Sequence, residues 1–170
     1  MMVSMEKMFP NISLPIGETL KLVNLKFLSM NEEVNNFISY FCMVINLKTG
    51  ESKYSCAGHD LPYIRDKNGK ITQLEKCKGT FLGLFDFMEF SEKYYTFQPG
   101  DILFAFTDGV TEAMNSERKM FGKDNLVKAI SIENNHPAEI IKSVDSSISG
   151  FIGDYPQSDD ICIACFKFDK

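Results

Sequence analysis

The 170-residue sequence has no apolar run of membrane-spanning length. It also has no cluster of lysine or arginine. With 18 basic against 23 acidic residues, the formal net charge is −5, which argues against nucleic acid or an anionic membrane surface as a partner. A positively charged start leading into a short apolar stretch is missing, and with it the mark of a secretory signal. Cysteine is present, but the five residues form no regular framework, and an odd set of this kind fits a reducing cytoplasm. Internal repeats, low-complexity tracts and a domain boundary are lacking, so a single domain over residues 1–170 is expected. Disorder is excluded in turn, because 44% of the residues are apolar.

What is present centres on Ile102–Phe106 and the Thr107-Asp108-Gly109 that follows. The apolar run is short, rich in aromatic and β-forming residues, and preceded by the turn Pro99-Gly100-Asp101, so it predicts a buried strand. Gly109 lets the backbone turn away steeply and leaves Asp108 at the mouth of a sheet. An Asp-Gly hairpin is the commonest use of that dipeptide, but residues 111–120 do not resemble a partner strand. A second acidic edge, Asp159-Asp160, opens the apolar run that begins at Ile161. Adjacent strand residues point to opposite faces, so one of the two can share a site with Asp108. A solvated turn is the simpler use of the pair taken alone. Together, two strands bounded by carboxylates suggest oxygen ligation of a hard cation, Mg²⁺ or Mn²⁺, rather than zinc.

The remaining pattern supplies a frame for these edges. Residues 13–30 predict a helix, with Pro15 near its first turn, Glu18 at its positive end and Leu20, Val23, Phe27 and Leu28 at helical spacing. Met1, Met5, Met8 and Phe9 could form one face of a helix ended by Pro10, and residues 31–36 read as a polar linker. Residues 37–46 and Glu51–Ala57 predict a hairpin; the first of these strands, apolar on both faces, is expected to be central in its sheet. A second hairpin joins residues 62–65 and 70–76 around Lys67-Asn68-Gly69. Residues 78–85 read as a loop packed on the sheet, residues 89–98 as a strand, and residues 123–132 as a helix. A last helix starts at Pro137 and runs to Gly150, with Ile140, Ile141, Val144 and Ile148 on one face. Hairpin strands with helices gathered at the start and end indicate an α+β protein with antiparallel sheets.

The ordered series Cys56-Ala57-Gly58-His59 with Pro62, Gly79 with Leu82-Gly83-Leu84, Pro99-Gly100-Asp101, Thr107-Asp108-Gly109-Val110-Thr111-Glu112-Ala113, Met120-Phe121-Gly122 and Asp159-Asp160-Ile161 resembles a known signature. It is that of bacterial metal-dependent (PPM-type) serine/threonine phosphatases of the SpoIIE-like branch, and it covers the chain from about Glu18 onward. The resemblance implies a sandwich of two antiparallel sheets flanked by helix layers. It implies hydrolysis of phosphoserine or phosphothreonine by a water activated by Mg²⁺ or Mn²⁺, with no side-chain nucleophile. Asp108 and Asp159 match the family's two C-terminal metal-ligand positions, with Asp160 as the register alternative to Asp159. Gly109, Gly58 and His59 match residues that shape the cleft. In other branches an Asp stands at the place of His59, near an accessory metal; the alternative is a turn histidine packed on its loop. Glu112 could support the Asp108 turn or simply be solvated, and His136 reads as a surface residue at a helix start.

The family also carries two acidic motifs toward its N-terminus, and neither occurs here; the first acidic residue is Glu6. The sequence therefore reads as an N-terminally truncated member without the metal-bridging carboxylate, expected to bind metal weakly and to be weak or inactive alone. Two readings follow. One is a cytoplasmic phosphatase domain acting on a phosphorylated regulatory protein such as an anti-sigma-factor antagonist, with an upstream sensory domain compatible with the resemblance. The other is an inactive pseudophosphatase or fragment that binds a regulatory partner through the same cleft or an exposed edge strand.

The cysteines generate a prediction of their own. Cys162 and Cys165 have a CxxC spacing, but on a strand they face opposite ways, so core packing rather than redox or zinc chemistry is expected. Alkylation of the unfolded protein without reductant, read by mass spectrometry, should show all five thiols free. A stoichiometric intramolecular disulfide would contradict it.

Overall fold

A computed structural model describes residues 14–30, 36–157 and 159–169; the methionine face near the start and most of the polar linker lie outside them. The elements are α1 (Ile16–Met30), β1 (Tyr40–Ile45), β2 (Glu51–Ala57), β3 (Tyr63–Arg65), β4 (Ile71–Gln73), β5 (Lys93–Thr96), β6 (Ile102–Phe106), α2 (Asp108–Thr111), α3 (Gly122–Ile130), α4 (Pro137–Ile152) and β7 (Ile163–Lys167). The strands form two antiparallel sheets, ordered β1-β2-β5 and β4-β3-β6-β7. The fold is α+β, as its hairpin pattern predicts. The described residues form two compact units: one gathers those up to Met43 with Lys53–Gly58 and Cys77–Lys93, and the other those of Val44–Ser52, His59–Lys76 and from Tyr94 onward.

In the first unit, α1 begins directly after Pro15, whose carbonyl accepts the Thr19 N–H at 3.0 Å and its hydroxyl at 3.1 Å. The Ile16 N–H, one of the first-turn donors with no partner inside the helix, goes to the Glu92 carboxylate at 2.8 Å. Leu20 is fully buried against Ala57, Leu82 and Phe90. Asn24 on the same helix face is also fully buried. Its side-chain N–H donates to the Phe85 carbonyl at 2.8 Å, and its side-chain oxygen accepts the Gly83 N–H at 2.7 Å. A buried amide is tolerated because it is satisfied in this way. The result is that the expected loop over residues 78–85 is tied down at its middle, where Leu82 also exchanges backbone hydrogen bonds with Ile38 at 2.9 and 3.0 Å.

In the second unit, β6 is the hub. It pairs with β3 (Tyr63↔Phe104) and with β7 (Phe104↔Cys165, Phe106↔Ile163), both antiparallel. Alternation sends Ile102, Phe104 and Phe106 to one face, where they meet Leu126, Ile130, Ile140, Val144 and Ile148 from α3 and α4. Of the helical spacing read from the sequence of α4, Ile140, Val144 and Ile148 are buried while Ile141 is half-buried, and His136 sits exposed as the N-cap. Arg65 on β3 is buried, and its guanidinium donates to the carbonyls of Ile132 and Asn134 just past the end of α3. A cation there offsets the negative end of the helix and gives partners to two carbonyls of the loop that follows it.

One expectation is corrected. Among the described residues β1 is an edge strand, not a central one, and Val44 stays exposed. Apolar residues on both faces of a strand report what covers those faces; they carry no information about whether its backbone edges are paired. Four of the cysteines pack as expected, and burial pushes the thiols of Cys42, Cys77 and Cys165 up to about 11, which leaves them protonated and unreactive at neutral pH. The core packing expected of Cys162 is corrected, because it precedes β7 and is exposed.

The Pro99-Gly100-Asp101 turn is closed by a buried carboxylate. Asp101 accepts the Tyr95 hydroxyl and the Gln98 N–H, each at 2.9 Å. Burial raises the Tyr95 pKa, and the hydrogen bond to Asp101 and the charges of Asp101 and Asp66 raise it further. A tyrosine whose folded pKa lies above its unfolded value of about 10 favours the fold fully below that pH and loses the contribution as pH rises. The stability difference between the wild type and Tyr95→Phe, measured by urea unfolding, should therefore shrink as pH climbs past about 10. A difference that stays constant or grows would refute this role.

Candidate functional site

The chain leaves β6 through Thr107 and enters α2, a single helical turn. The Val110 N–H bonds the Thr107 carbonyl at 3.0 Å and the Glu112 N–H bonds the Asp108 carbonyl at 2.8 Å. A hairpin at Asp108-Gly109 is thereby excluded. Asp108 stands exposed at the sheet's edge. Its Oδ1 accepts the Gly109 N–H at 3.1 Å, and among the described residues no hydrogen bond engages its Oδ2.

Asp159 and Asp160 arrive at the same edge because β7 pairs with β6. The ladder continues one step past Phe106↔Ile163, with the Thr107 N–H donating to the Cys162 carbonyl at 3.0 Å. The Thr107 hydroxyl accepts the Cys162 N–H at 3.0 Å and donates to the Asp160 carbonyl at 3.1 Å. Gly109 lies against that same carbonyl: a Cβ on it would sit 2.5 Å from the Asp160 oxygen. Here glycine is required by close approach and not by a positive φ. The two acidic segments read from the sequence are thus brought together in one unit.

The strand argument for choosing between Asp159 and Asp160 does not carry over. β7 starts at Ile163, so both aspartates precede it, and both are exposed. Alternation between faces holds only for backbone in the extended ladder. What distinguishes them is local bonding: Asp159 Oδ1 accepts the Asp160 N–H at 2.7 Å, and the Asp159 carbonyl accepts the Gln157 side-chain N–H at 2.6 Å.

The other two named residues fall in different units. Gly58, in the first, has φ 72° and would drive a Cβ to within 2.6 Å of the Phe81 ring. His59, in the second, is half-buried, with Nδ1 2.8 Å from the Asp60 carbonyl. Asp60 was not singled out in the sequence, and the structure gives it a place. β3 runs antiparallel to β6 with Tyr63 opposite Phe104, so the residues just before β3 lie toward the end of the sheet that carries Asp108. There Asp60 pairs with Lys123 at the start of α3, at 3.3 Å. Burial raises the Tyr63 pKa; Lys123 lowers it, and Asp60 and Asp124 raise it. The available signal was a carboxylate directly after His59, at one more strand edge.

As metal ligands these groups are right in kind: exposed carboxylates, which suit a hard divalent cation. In number they are short. Among the described residues no three His, Cys, Asp or Glu side chains gather closely enough to hold an ion.

Residues 1–169 match the family model described as stage II sporulation protein E (SpoIIE). The chain is 27% identical over 142 residues to Protein IcfG of Synechocystis sp. (strain ATCC 27184 / PCC 6803 / Kazusa), covering 84% of this chain and 22% of that protein. It is 28% identical over 125 residues to phosphoserine phosphatase RsbU of Bacillus subtilis (strain 168), covering 71% of this chain and 36% of that one. The chain thus spans well under half of the length of these curated relatives. Its fold matches the Mn-presoaked phosphatase domain of the cell fate determinant SpoIIE from Bacillus subtilis with a TM-score of 0.67 at 14% identity, over 98% of this chain and 71% of that one.

The contact at Gly109 can be tested without any ligand. Gly109→Ala must push the Asp160 carbonyl away from the start of α2, and overpacking of this sort costs roughly 1–3 kcal/mol. Urea denaturation should show that loss, with amide shifts at Asp160 and Cys162. An alanine variant as stable as the wild type, with unmoved amides, would show that the two segments are not in contact.

Proposed function

The chain belongs to the SpoIIE family, and on that premise we propose that it acts as part of a metal-dependent protein serine/threonine phosphatase domain. The observation that carries this reading is the meeting of Asp108 with the Asp159-Asp160 segment, enforced by the bare Cα of Gly109 under the Asp160 carbonyl. Asp108 and Asp159 are the residues we assign to hold Mg²⁺ or Mn²⁺, with Asp160 as the alternative to Asp159. Gly109 and His59, in the same unit as the carboxylates, are the residues we assign to shape the cleft. When bound, the divalent ions would lower the pKa of a water and screen charge on the phosphoryl oxygens. The chain's own part is to hold its carboxylates at a fixed separation on a rigid sheet edge. We further propose that the substrate is a phosphoserine or phosphothreonine on a regulatory protein, such as an anti-sigma-factor antagonist. The printed name of RsbU, a phosphoserine phosphatase, supports the class of substrate. No helix among the described residues is long and apolar enough to cross a membrane, and a cytoplasmic location is part of the proposal.

A second reading, an inactive module that binds a regulatory partner, is favoured by one observation: the described residues include no cluster of three metal-binding side chains. The two are separated by experiment. This 170-residue chain alone should bind Mn²⁺ weakly in a calorimetric titration and release little phosphate from phosphoserine proteins. A form extended upstream to carry the family's acidic motifs should turn over. In that form Asp108→Asn and Asp159→Asn should each cut Mn²⁺-dependent release by about a hundredfold or more, because a neutral amide holds a hard cation poorly, while Asp160→Asn costs much less. Near-normal turnover in Asp108→Asn would reject the metal role, and an inactive extended form would leave the binding module as the surviving reading.

A further inference from the structure

Thr107 occupies the N-cap position of α2, with extended backbone at φ −90° and ψ 160°. A threonine there ordinarily turns its hydroxyl onto an N–H of the first helical turn. Thr107 does not; no side-chain cap bond forms. Its hydroxyl is spent across the sheet edge, accepting the Cys162 N–H at 3.0 Å and donating to the Asp160 carbonyl at 3.1 Å. One hydroxyl can do both, since it carries one donor and two acceptor lone pairs. The Thr107 N–H adds a third bond, to the Cys162 carbonyl at 3.0 Å. Three hydrogen bonds therefore tie one residue to the segment that carries Asp159 and Asp160, and the next residue along is Asp108.

We propose that Thr107 is a positioning residue: its hydroxyl fixes the Asp159-Asp160 segment against Asp108, so that the two carboxylates are presented to one divalent cation together. The inference rests on the metal-site reading of Asp108 and Asp159. The stretch it stabilises needs such a clamp, because residues 159–161 lie before the ladder's last step at Cys162 and are not held by it. Gly109 lets the segment approach, and Thr107 stops it from leaving. Without the hydroxyl the carbonyl of Asp160 and the N–H of Cys162 would turn to water, both residues being exposed, and the chain would remain folded around its core while Asp159 drifted. An outer residue that orients metal ligands typically contributes ten- to a hundredfold to affinity.

The test uses Mn²⁺ alone as the probe and paramagnetic broadening of the Asp108 and Asp159 amide signals as the readout, on the full 170-residue chain. In the wild type both signals should broaden together over one range of Mn²⁺ concentration. Thr107→Val keeps the shape and removes the hydroxyl; its Mn²⁺ affinity should fall about tenfold or more, with the two signals no longer broadening in step, and Thr107→Ser should stay within about twofold of the wild type. Faster amide exchange at Cys162 in the valine variant, with Phe104 and Phe106 still protected, would confirm that the clamp and not the core was lost. If the valine variant fails to fold, Thr107→Ala replaces it, and the serine variant must still bind as the wild type does. Valine or alanine variants that bind Mn²⁺ as tightly as the wild type, or a serine variant that binds as weakly as valine is expected to, would overturn the proposal. A wild-type chain in which Mn²⁺ broadens neither signal would reject the metal-site reading itself, and the role of Thr107 with it.

Discussion

The pairing of β6 with β7 is the constraint on which the candidate site depends. Asp108 and Asp159 are 51 positions apart in the chain, and nothing local relates them. They meet because Phe106 lies opposite Ile163, and because the chain on either side of that pair carries its aspartates beyond the end of the ladder. Register in such a ladder is set by burial. Phe104 and Phe106 face the core with Leu126, Ile140 and Val144, and a slip of one residue would turn them outward. The hydrophobic core of the second unit therefore fixes the position of two exposed carboxylates that it never touches.

In each unit the structure uses buried polar groups where apolar ones would leave backbone unpaired. Asn24 holds a loop by both ends of its amide, Arg65 gathers two carbonyls past the end of α3, and Asp101 closes a turn by accepting from Tyr95 and Gln98. Each is buried and each is hydrogen-bonded, which limits the cost of burying it; the Nε of Arg65 alone is left without a partner among the described residues. The acidic edge shows the opposite economy. Asp108, Asp159 and Asp160 stay exposed, so their charges are solvated in the absence of a cation and their mutual repulsion is weakened by water. Rigidity comes from backbone contacts beneath them: the Asp160 carbonyl on Gly109 and the three bonds of Thr107.

Much of this was legible in the residues. Short apolar runs bounded by turn residues located β2, β6 and both hairpins, and the periodicity of Ile140, Val144 and Ile148 located α4. Asp108 stood out because an apolar strand ends on a carboxylate followed by glycine. The place of β1 was not legible, since its pairing partners lie outside its own pattern. Nor was the local geometry of Asp159 and Asp160. Sequence alternation treats them as strand residues on opposite faces, whereas the extended ladder begins only at Ile163. Nor was the place of Asp60, which depends on the antiparallel register of β3 with β6.

By itself, the sequence determined the class of the fold, the order of its elements and the two acidic edges where a hard cation could be held, because each follows from local pattern: alternation, helical spacing, or a turn residue next to a charge. The tertiary structure decided what those edges are to one another. Whether Asp108 meets Asp159, which carbonyl lies under Gly109, and where the Thr107 hydroxyl points are consequences of a strand pairing between distant segments. That pairing is selected by the burial of side chains on the far face of the sheet, and no window along the chain contains both partners.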